Sequence, residues 1–505
     1  MTDPDMHATT TSVPTVGLKA QVVSSLRWAV VAKFGAQLVS WAITLVVMRL
    51  LTPDAYGLTA MLTIIFGFVG MLGDMGFGSS LIQSPTINRE VIRQTYGASL
   101  LANCIICVLL FAAAPLIAAF YNEPRLVSLA EVASLGFITN AFSVVSESLL
   151  RRELRFKVLA SVEIATNFVI GASTLVMAWW GLGVWALVLG SLGGSVARVV
   201  ILNIVSPVRC APAFSFKGAR TMWAFGTNVT ITRIVWYWTV QVDVLIAGKL
   251  LGKEALGLYS VALNLASLPM QRTLGLINSV AFPAFAKIQG DREALRINVA
   301  LAVRLMALLS FPVLWGIGSV APELVRVVLG EKWQQAVFPL TVVAFTIPLR
   351  MIGSVVSTTV MSIGRADIAM ITTIMGAIIM PPIFYFGARD GIEGLSLAWL
   401  AITPIMFLLN MYRALPELGL TMRKVLAELA RPAATALLMS LSVLLARALS
   451  SGLSDVQRFI MLIAVGAVTW ICATWFINRS ATVEALALLF PGRFANLARR
   501  HPARS

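Results

Sequence analysis

Residues 50–58 read Leu-Leu-Thr-Pro-Asp-Ala-Tyr-Gly-Leu, and residues 250–258 read Leu-Leu-Gly-Lys-Glu-Ala-Leu-Gly-Leu. The second stretch repeats the pattern of the first at an offset of 200 positions. Each copy lies where one long apolar segment ends and another begins, so the repeated unit is a hairpin of two membrane-length helices. A membrane protein built from two similar halves is typically a transporter whose substrate binds between the halves.

The composition is typical of a protein that lies in a membrane. Hydrophobic residues make up 58% of the 505-residue chain and charged residues 12%, and the mean hydropathy is +0.86. A soluble domain carries about 25% charged residues. Lysines and arginines in loops, which set membrane orientation, account for the formal net charge of +16. We therefore expect no nucleic-acid partner.

A search for apolar runs of about 20 residues predicts fourteen membrane-spanning segments. They lie at approximately 24–50, 56–83, 92–119, 126–149, 157–180, 183–206, 219–248, 255–287, 294–320, 334–362, 366–387, 392–412, 425–447 and 457–478. Totals of thirteen or fifteen are the alternatives. With both termini in the cytoplasm, about 23 lysines and arginines fall on the cytoplasmic side and about 9 on the other, which favours fourteen spans.

The predicted fold is all-α: a polytopic membrane protein of about 14 transmembrane helices in two pseudo-symmetric six-helix lobes plus two C-terminal helices. The predicted divisions are a cytoplasmic N-terminal segment (1–23), an N-lobe (24–207), a C-lobe (208–413), the last two helices (414–478) and a basic cytoplasmic tail (479–505). An even number of helices per lobe gives both lobes one orientation, with a central cavity between them.

Five basic residues are candidate substrate-binding groups in this cavity. Arg233, Arg272, Arg304 and Arg350 fall near mid-depth in the second lobe, and Lys33 lies at moderate depth in the first. Charged groups at such depth are costly and commonly functional. Arginine binds phosphate oxygens in bidentate pairs, so a pyrophosphate-linked lipid would satisfy these side chains. The alternative is that they snorkel or brace helix packing.

Two acidic residues are candidates for coupling or gating. At the 200-residue offset, Asp74 lies two positions from the equivalent of Arg272. The carboxylate of Asp74 could pair with Arg272 across the lobes, couple transport to protons or Na⁺, or hydrogen bond within its own helix; the sequence leaves these three readings open. Asp243, near the outer end of the seventh predicted helix, is the second candidate.

The sequence predicts no cofactor, no metal site and no enzymatic activity. Cys104 and Cys107 form a C-x-x-C pair inside an apolar helix without a second pair of ligands, which favours packing over metal binding. No P-loop is present. The connections between predicted helices are short, which is unlike membrane polymerases and ligases with a large outer loop.

Residues 49–58 and 73–83 (Gly-Asp-Met-Gly-Phe-Gly-Ser-Ser-Leu-Ile-Gln) resemble the opening of the Wzx-type polysaccharide flippases. This family belongs to the polysaccharide transport branch of the multidrug/oligosaccharidyl-lipid/polysaccharide exporter superfamily. The second copy is similar to the matching region of the same family at 241–252, 257–260 and 282–289. The resemblance covers roughly residues 20–480 and extends to members that serve exopolysaccharides such as colanic acid.

The resemblance implies a protein of the bacterial inner membrane with both termini in the cytoplasm. Its implied partners are the lipid bilayer, an undecaprenyl-pyrophosphate-linked oligosaccharide and the polysaccharide polymerase or export machinery. The implied activity is transfer of that repeat unit from the cytoplasmic to the periplasmic leaflet by alternating access, for exopolysaccharide or lipopolysaccharide biosynthesis. A cation-coupled multidrug or metabolite exporter, a membrane glycosyltransferase and a non-transporting scaffold of a glycan assembly complex are the alternatives.

Overall fold

A computed structural model of the chain describes residues 39–74, 78, 81–82, 88–206, 211–214, 219–450 and 452–479, with the backbone alone for 72–74, 219–232 and 271–280. In order, the helices are α1 Val39–Leu50, α2 Pro53–Asp74, α3 Arg89–Tyr121, α4 Leu126–Arg152, α5 Phe156–Trp179, α6 Val184–Val205, α7 Ala219–Lys287, α8 Arg292–Ser319, α9 Ala321–Leu324, α10 Val337–Ser362, α11 Ala366–Ala388, α12 Gly391–Ala414, α13 Met422–Leu449 and α14 Asp455–Ile477. A π-helical turn (Val325–Leu329) and a 3₁₀ turn (Glu331–Ala336) link α9 to α10. No strand occurs in these described ranges, as the all-α prediction requires.

Helix α7 is a hairpin of two arms, α7a (219–251) and α7b (253–287). The backbone leaves helical geometry at Gly252, where φ is 80° and ψ is −177°. The Tyr259 hydroxyl donates to Oδ2 of Asp243 at 2.7 Å, although 16 positions separate the two residues. In a straight helix they would be about 24 Å apart, so α7a and α7b must lie antiparallel. The positive φ favours glycine at the bend.

The chain is a multi-pass membrane protein, as predicted. Twelve helices in the described part are long and apolar enough to cross a membrane, and one of the twelve covers both arms of α7. Each of the fourteen predicted segments coincides with a helix, a helix arm or, for the first, the described part α1. Most ends differ by a few residues. For example, α3 starts at Arg89 because Asn88 accepts a hydrogen bond from the Val91 amide at 2.8 Å.

The duplicated motif forms a reciprocal contact between the two halves. A Cβ atom on Gly57 would lie 1.7 Å from the carbonyl oxygen of Lys253, and one on Gly257 would lie 1.8 Å from that of Pro53. Both pairs are related by the 200-residue offset, so α2 and α7b meet through equivalent positions. Only glycine allows two helix backbones to approach so closely, which explains the repeated glycine.

The most extensive helix packing joins α2 to α7 and so connects the halves. Within the first half, α3 packs on α4, and α6 packs on both α4 and α5. Within the second half, α10 packs on α7, α8 and α12, while α11 packs on α7 and α12. The lobe boundaries at 24–207 and 208–413 stay predictions, as do the terminal segments 1–23 and 479–505, which lie almost wholly outside the described residues.

Helices α13 and α14 attach to the second half. Helix α13 packs on α8, and α14 packs on α13 with smaller contacts to α8, α9 and the π-helical turn. Arg447 of α13 donates from Nε and Nη2 to the two carboxylate oxygens of Glu323, each at 2.8 Å. Its Nη2 also donates to the Ser319 carbonyl. Glu323 is only 4% exposed, so Arg447 is the counter-charge of a buried carboxylate.

Replacing Arg447 with methionine is expected to lower the free energy of unfolding by about 3–5 kcal/mol, because a buried carboxylate loses its partner. Denaturant unfolding in detergent micelles would measure the change. Arg326→Met is the matched control. The side chains of its pair with Asp455 (2.9 Å) are 36% and 42% exposed, so this pair contributes less than about 1 kcal/mol. Equal losses in the two variants would contradict the role assigned to Arg447.

Candidate functional site

A cavity of about 440 Å³ lies between the two halves of the chain. Its walls come from α2 and α6 in the first half and from α7, α10 and α12 in the second. The polar lining residues include Thr59, Thr63, Gln241, Asp243, Ser260, Asn264, Ser267 and Arg350. A volume of this size falls in the range of roughly 300–1,000 Å³ that small-molecule sites occupy.

Arg350 is held on the cavity wall by a chain of buried contacts. Its guanidinium carbon lies 4.5 Å from the centre of the Trp399 ring, a cation–π distance. The Trp399 indole N–H donates to the Tyr259 hydroxyl at 2.7 Å, and that hydroxyl donates to Asp243 at 2.7 Å. The charges of Asp243 and Arg350 also interact. Two predicted residues, Arg350 and Asp243, thus belong to one network in the cavity.

The Tyr259→Phe substitution tests whether this hydrogen-bond network stabilises the fold. Tyr259, Trp399 and Asp243 are at most 3% exposed, so the change leaves a buried N–H without its acceptor and takes one of its donors from a buried carboxylate. We expect the free energy of unfolding to fall by about 2–3 kcal/mol. The control is Tyr121→Phe, because the buried Tyr121 hydroxyl has no hydrogen-bond partner among the described residues. A Tyr259 variant as stable as the control would argue against the network.

The other arginine candidates lie elsewhere. Arg304 of α8 donates from Nε to Glu428 of α13 at 2.6 Å and is outside the cavity lining. Arg233 is exposed on α7a, one turn before Tyr237, whose hydroxyl donates to the carbonyls of Thr63 and Ile64 in α2. The structure therefore gives Arg304 an acidic partner on α13 and does not bring Arg304 and Arg233 to Arg350.

Three predicted candidates lie outside the part of the chain whose side chains the structure describes. Lys33 precedes the described residues, and the side chains of Asp74 and Arg272 lie outside the described part, although their backbones belong to α2 and α7b. The roles predicted for these three residues stay predictions, and so does the pairing of Asp74 with Arg272.

Four charged side chains connect the halves at the outer end of the cavity, in the orientation that the loop charges predict. Nζ of Lys253 lies 3.2 Å from Asp54 and 2.6 Å from Glu123, and Arg125 lies 3.1 Å from Asp54. Burial raises the pKa of Glu123, but the hydrogen bonds and charges of Lys253 and Arg125 together outweigh burial and bring that pKa below its usual value. Together with the Gly57–Gly257 contact, these groups hold the two halves together on this side; we call them the outer seal.

Two further cations at equivalent positions reinforce the outer seal. Arg49, at the end of α1, donates to the Val327 carbonyl of the second half at 3.2 Å. Lys249, 200 positions later at the end of α7a, donates to the Phe120 carbonyl of the first half. Each half thus contributes one cation that caps a helix end or turn of the other half.

Comparison with known proteins places these features in a family. The family model described as "Polysaccharide biosynthesis protein" matches residues 46–338. The lipopolysaccharide biosynthesis protein WzxC of Escherichia coli (strain K12) is 27% identical over 425 residues, covering 83% of this chain and 86% of that protein. The succinoglycan biosynthesis transport protein ExoT of Rhizobium meliloti (strain 1021) is 25% identical over 391 residues, covering 77% and 78%.

A solved structure has a similar fold. The structure of "Lipid II flippase MurJ, inward closed conformation" has a TM-score of 0.73 and 15% sequence identity. The structural alignment covers 88% of this chain and 98% of the chain in that structure. An identity this low indicates a common fold alone.

Proposed function

The chain belongs to the polysaccharide biosynthesis protein family, whose model spans more than half of its length, and from this membership we propose that it is a flippase. Its substrate is an undecaprenyl-pyrophosphate-linked oligosaccharide repeat unit, which it moves from the cytoplasmic to the periplasmic leaflet by alternating access. The protein lies in the bacterial inner membrane with both termini in the cytoplasm. It supplies the polysaccharide polymerase and export machinery and is not itself an enzyme.

The observation that carries this proposal is the cavity between the halves with Arg350 on its wall. Arg350 is the fourteenth of the 26 residues of α10, so it lies near the middle of the span. A guanidinium at this depth suits the diphosphate of a lipid-linked sugar, since it offers paired donors to phosphate oxygens. The lipid tail stays outside in the hydrocarbon while the polar headgroup occupies the cavity.

The closed outer seal supports an alternating-access cycle. In this structure, the halves are joined at the outer end by Asp54, Lys253 and the Gly57–Gly257 contact. The cavity can release its contents outward only if these contacts separate. The predicted lobes would rock about each other, opening one side as the other closes.

The names of similar proteins support the same reading. WzxC and ExoT are named for lipopolysaccharide and succinoglycan biosynthesis, ExoT is called a transport protein, and MurJ is called a lipid II flippase. A cationic-drug exporter would need an unpaired acidic group in the cavity, whereas the lining carboxylate Asp243 accepts a hydrogen bond from Tyr259 and faces a nearby arginine.

Reconstitution in liposomes tests the proposal. A fluorescent undecaprenyl-diphosphate oligosaccharide would be incorporated with the purified protein, and a membrane-impermeant quencher would report the fraction exposed in the outer leaflet over time. We expect exchange between leaflets to be much faster than in protein-free liposomes. Transport of a fluorescent cationic drug would be measured in the same preparation.

Two outcomes would contradict the proposal. Exchange as slow as in protein-free liposomes, with the native glycan supplied, would favour a scaffold. Transport of the cationic drug without transport of the lipid-linked glycan would favour an exporter.

A further inference from the structure

Several hydroxyl groups of the cavity wall share one property: each already donates its hydrogen to a carbonyl of its own helix. In α2, Thr59 donates to the Ala55 carbonyl at 2.9 Å and Thr63 donates to the Thr59 carbonyl at 2.8 Å. In α7b, Ser260 donates to the Gly257 carbonyl at 3.2 Å, and the Asn264 amide donates to the Ser260 carbonyl at 2.9 Å. Because a hydroxyl has one hydrogen, the threonines and the serine keep only lone pairs for a ligand.

Thr59 and Thr63 therefore only accept hydrogen bonds from a ligand, and the described first-half lining carries no charge. Thr59 and Thr63 lie one turn apart on α2, so their oxygens follow one another along the cavity. Thr63 is exposed and Thr59 is half-buried, and both side chains line the cavity. A phosphate oxygen, which also only accepts, gains nothing from such a wall. A ligand group that donates several hydrogen bonds is complementary to it.

The second-half wall has the opposite preference. Arg350 contributes N–H donors and a positive charge, and it is the lining cation among the described residues. A cationic ligand could also donate to the threonines, but Arg350 would repel it. The ligand that fits both walls has an anionic group and several neutral hydroxyls close together.

Building on the proposed flippase function, we infer that Thr59 and Thr63 form a sugar subsite opposite Arg350. The diphosphate binds the second-half wall at Arg350. The first sugars next to the diphosphate donate their hydroxyl hydrogens to the oxygens of Thr59 and Thr63. The two walls thus recognise different parts of one headgroup and fix its orientation in the cavity.

Binding measurements with two lipids test this subsite. One lipid is undecaprenyl diphosphate carrying the native oligosaccharide, and the other is undecaprenyl diphosphate without sugar. The Thr59→Val/Thr63→Val variant keeps the shape of both side chains but removes their oxygens. We expect it to bind the glycosylated lipid about tenfold more weakly and the sugar-free lipid as wild type does.

Matched variants separate this effect from a general one. Thr59→Ser/Thr63→Ser keeps both acceptors and should bind both lipids normally. Thr372→Val removes a hydroxyl that makes the same bond to a helix carbonyl, to Ile368 at 2.9 Å, outside the cavity lining, and should leave both affinities unchanged. Unfolding midpoints of all variants would establish that they are folded.

The inference is overturned if the double valine variant binds both lipids normally or loses both equally. Either result would leave the flippase proposal intact, provided that the wild type still binds and flips the glycosylated lipid. Wild-type protein that binds neither lipid would contradict the flippase proposal itself.

Discussion

Replacing Gly257 with alanine is expected to open the outer seal and abolish leaflet exchange. The new Cβ would lie 1.8 Å from the Pro53 carbonyl oxygen and 3.0 Å from the Gly57 amide nitrogen. Both atoms belong to the backbone of α2, so no side chain can rotate away. The helices must separate by more than 1 Å, which we expect to destabilise the closed state by about 3 kcal/mol. Gly57→Ala should act equally, because its contact with Lys253 is the reciprocal one.

Two measurements check this expectation. Leaflet exchange in liposomes reports activity. In a variant whose four cysteines are replaced, Asn264→Cys places a thiol on the cavity wall, where an impermeant maleimide applied from outside reports whether the seal is open. Gly136→Ala on α4 is the matched control, since nothing lies within 4 Å of the added Cβ. A Gly257 variant with normal exchange and a protected Asn264→Cys thiol would show that the contact is not needed for closure.

Replacing Arg350 with glutamine is expected to slow exchange of the lipid-linked glycan by about 100-fold or more. A charge-assisted interaction with a desolvated partner contributes on the order of 3 kcal/mol, and each 1.4 kcal/mol corresponds to a tenfold change. Glutamine retains polarity and much of the volume but lacks the charge. Rates of leaflet exchange at several lipid concentrations would show whether the loss lies in binding or in translocation.

Controls address the two other ways in which this variant could fail. Arg389→Gln removes an exposed arginine that stacks on Tyr385 and Phe386 outside the cavity, and it should exchange lipid normally. The double variant Arg350→Gln/Asp243→Asn removes both charges. If the double variant exchanged lipid at the wild-type rate, the unpaired carboxylate of Asp243 would have caused the loss in Arg350→Gln. If Arg350→Gln alone exchanged lipid at the wild-type rate, a diphosphate site at Arg350 would be contradicted.

The helices were predictable because a long apolar segment that crosses a membrane must satisfy its own backbone hydrogen bonds, which a helix does. The 200-residue repeat also indicated which positions of the two halves correspond. In the structure, two of these corresponding positions meet in the Gly57–Gly257 contact. Residues 255–287 were predicted as a separate helix. The chain reverses at Gly252, which lies between the Leu-Leu and Leu-Gly-Leu parts of the second motif copy. Local sequence was sufficient for these features.

The candidate site was only partly predictable. A charge at mid-depth indicated Arg350, and a carboxylate near the outer end of a predicted helix indicated Asp243, since buried charges are rare in membranes. The same criterion also selected Arg304, which pairs with Glu428 in the structure. This partner lies 124 positions away, and the sequence around Arg304 does not indicate it. Tyr259 lies beside the second motif copy, but its bond to Trp399 spans 140 positions. The threonine oxygens of α2 were missed because an uncharged hydroxyl has no distinctive pattern in an apolar helix.

The attachment of α13 and α14 to the second half has a practical consequence. Both helices make their main contacts with each other and with α8, α9 and the π-helical turn. In an alternating-access cycle they would move together with the second half. Their distance from the start of α5 in the first half would therefore change with the angle between the halves. Leu453 and Leu154 are both exposed and can carry dyes. Energy transfer from a donor at Leu453 to an acceptor at Leu154 would report the distance between the halves during single transport events.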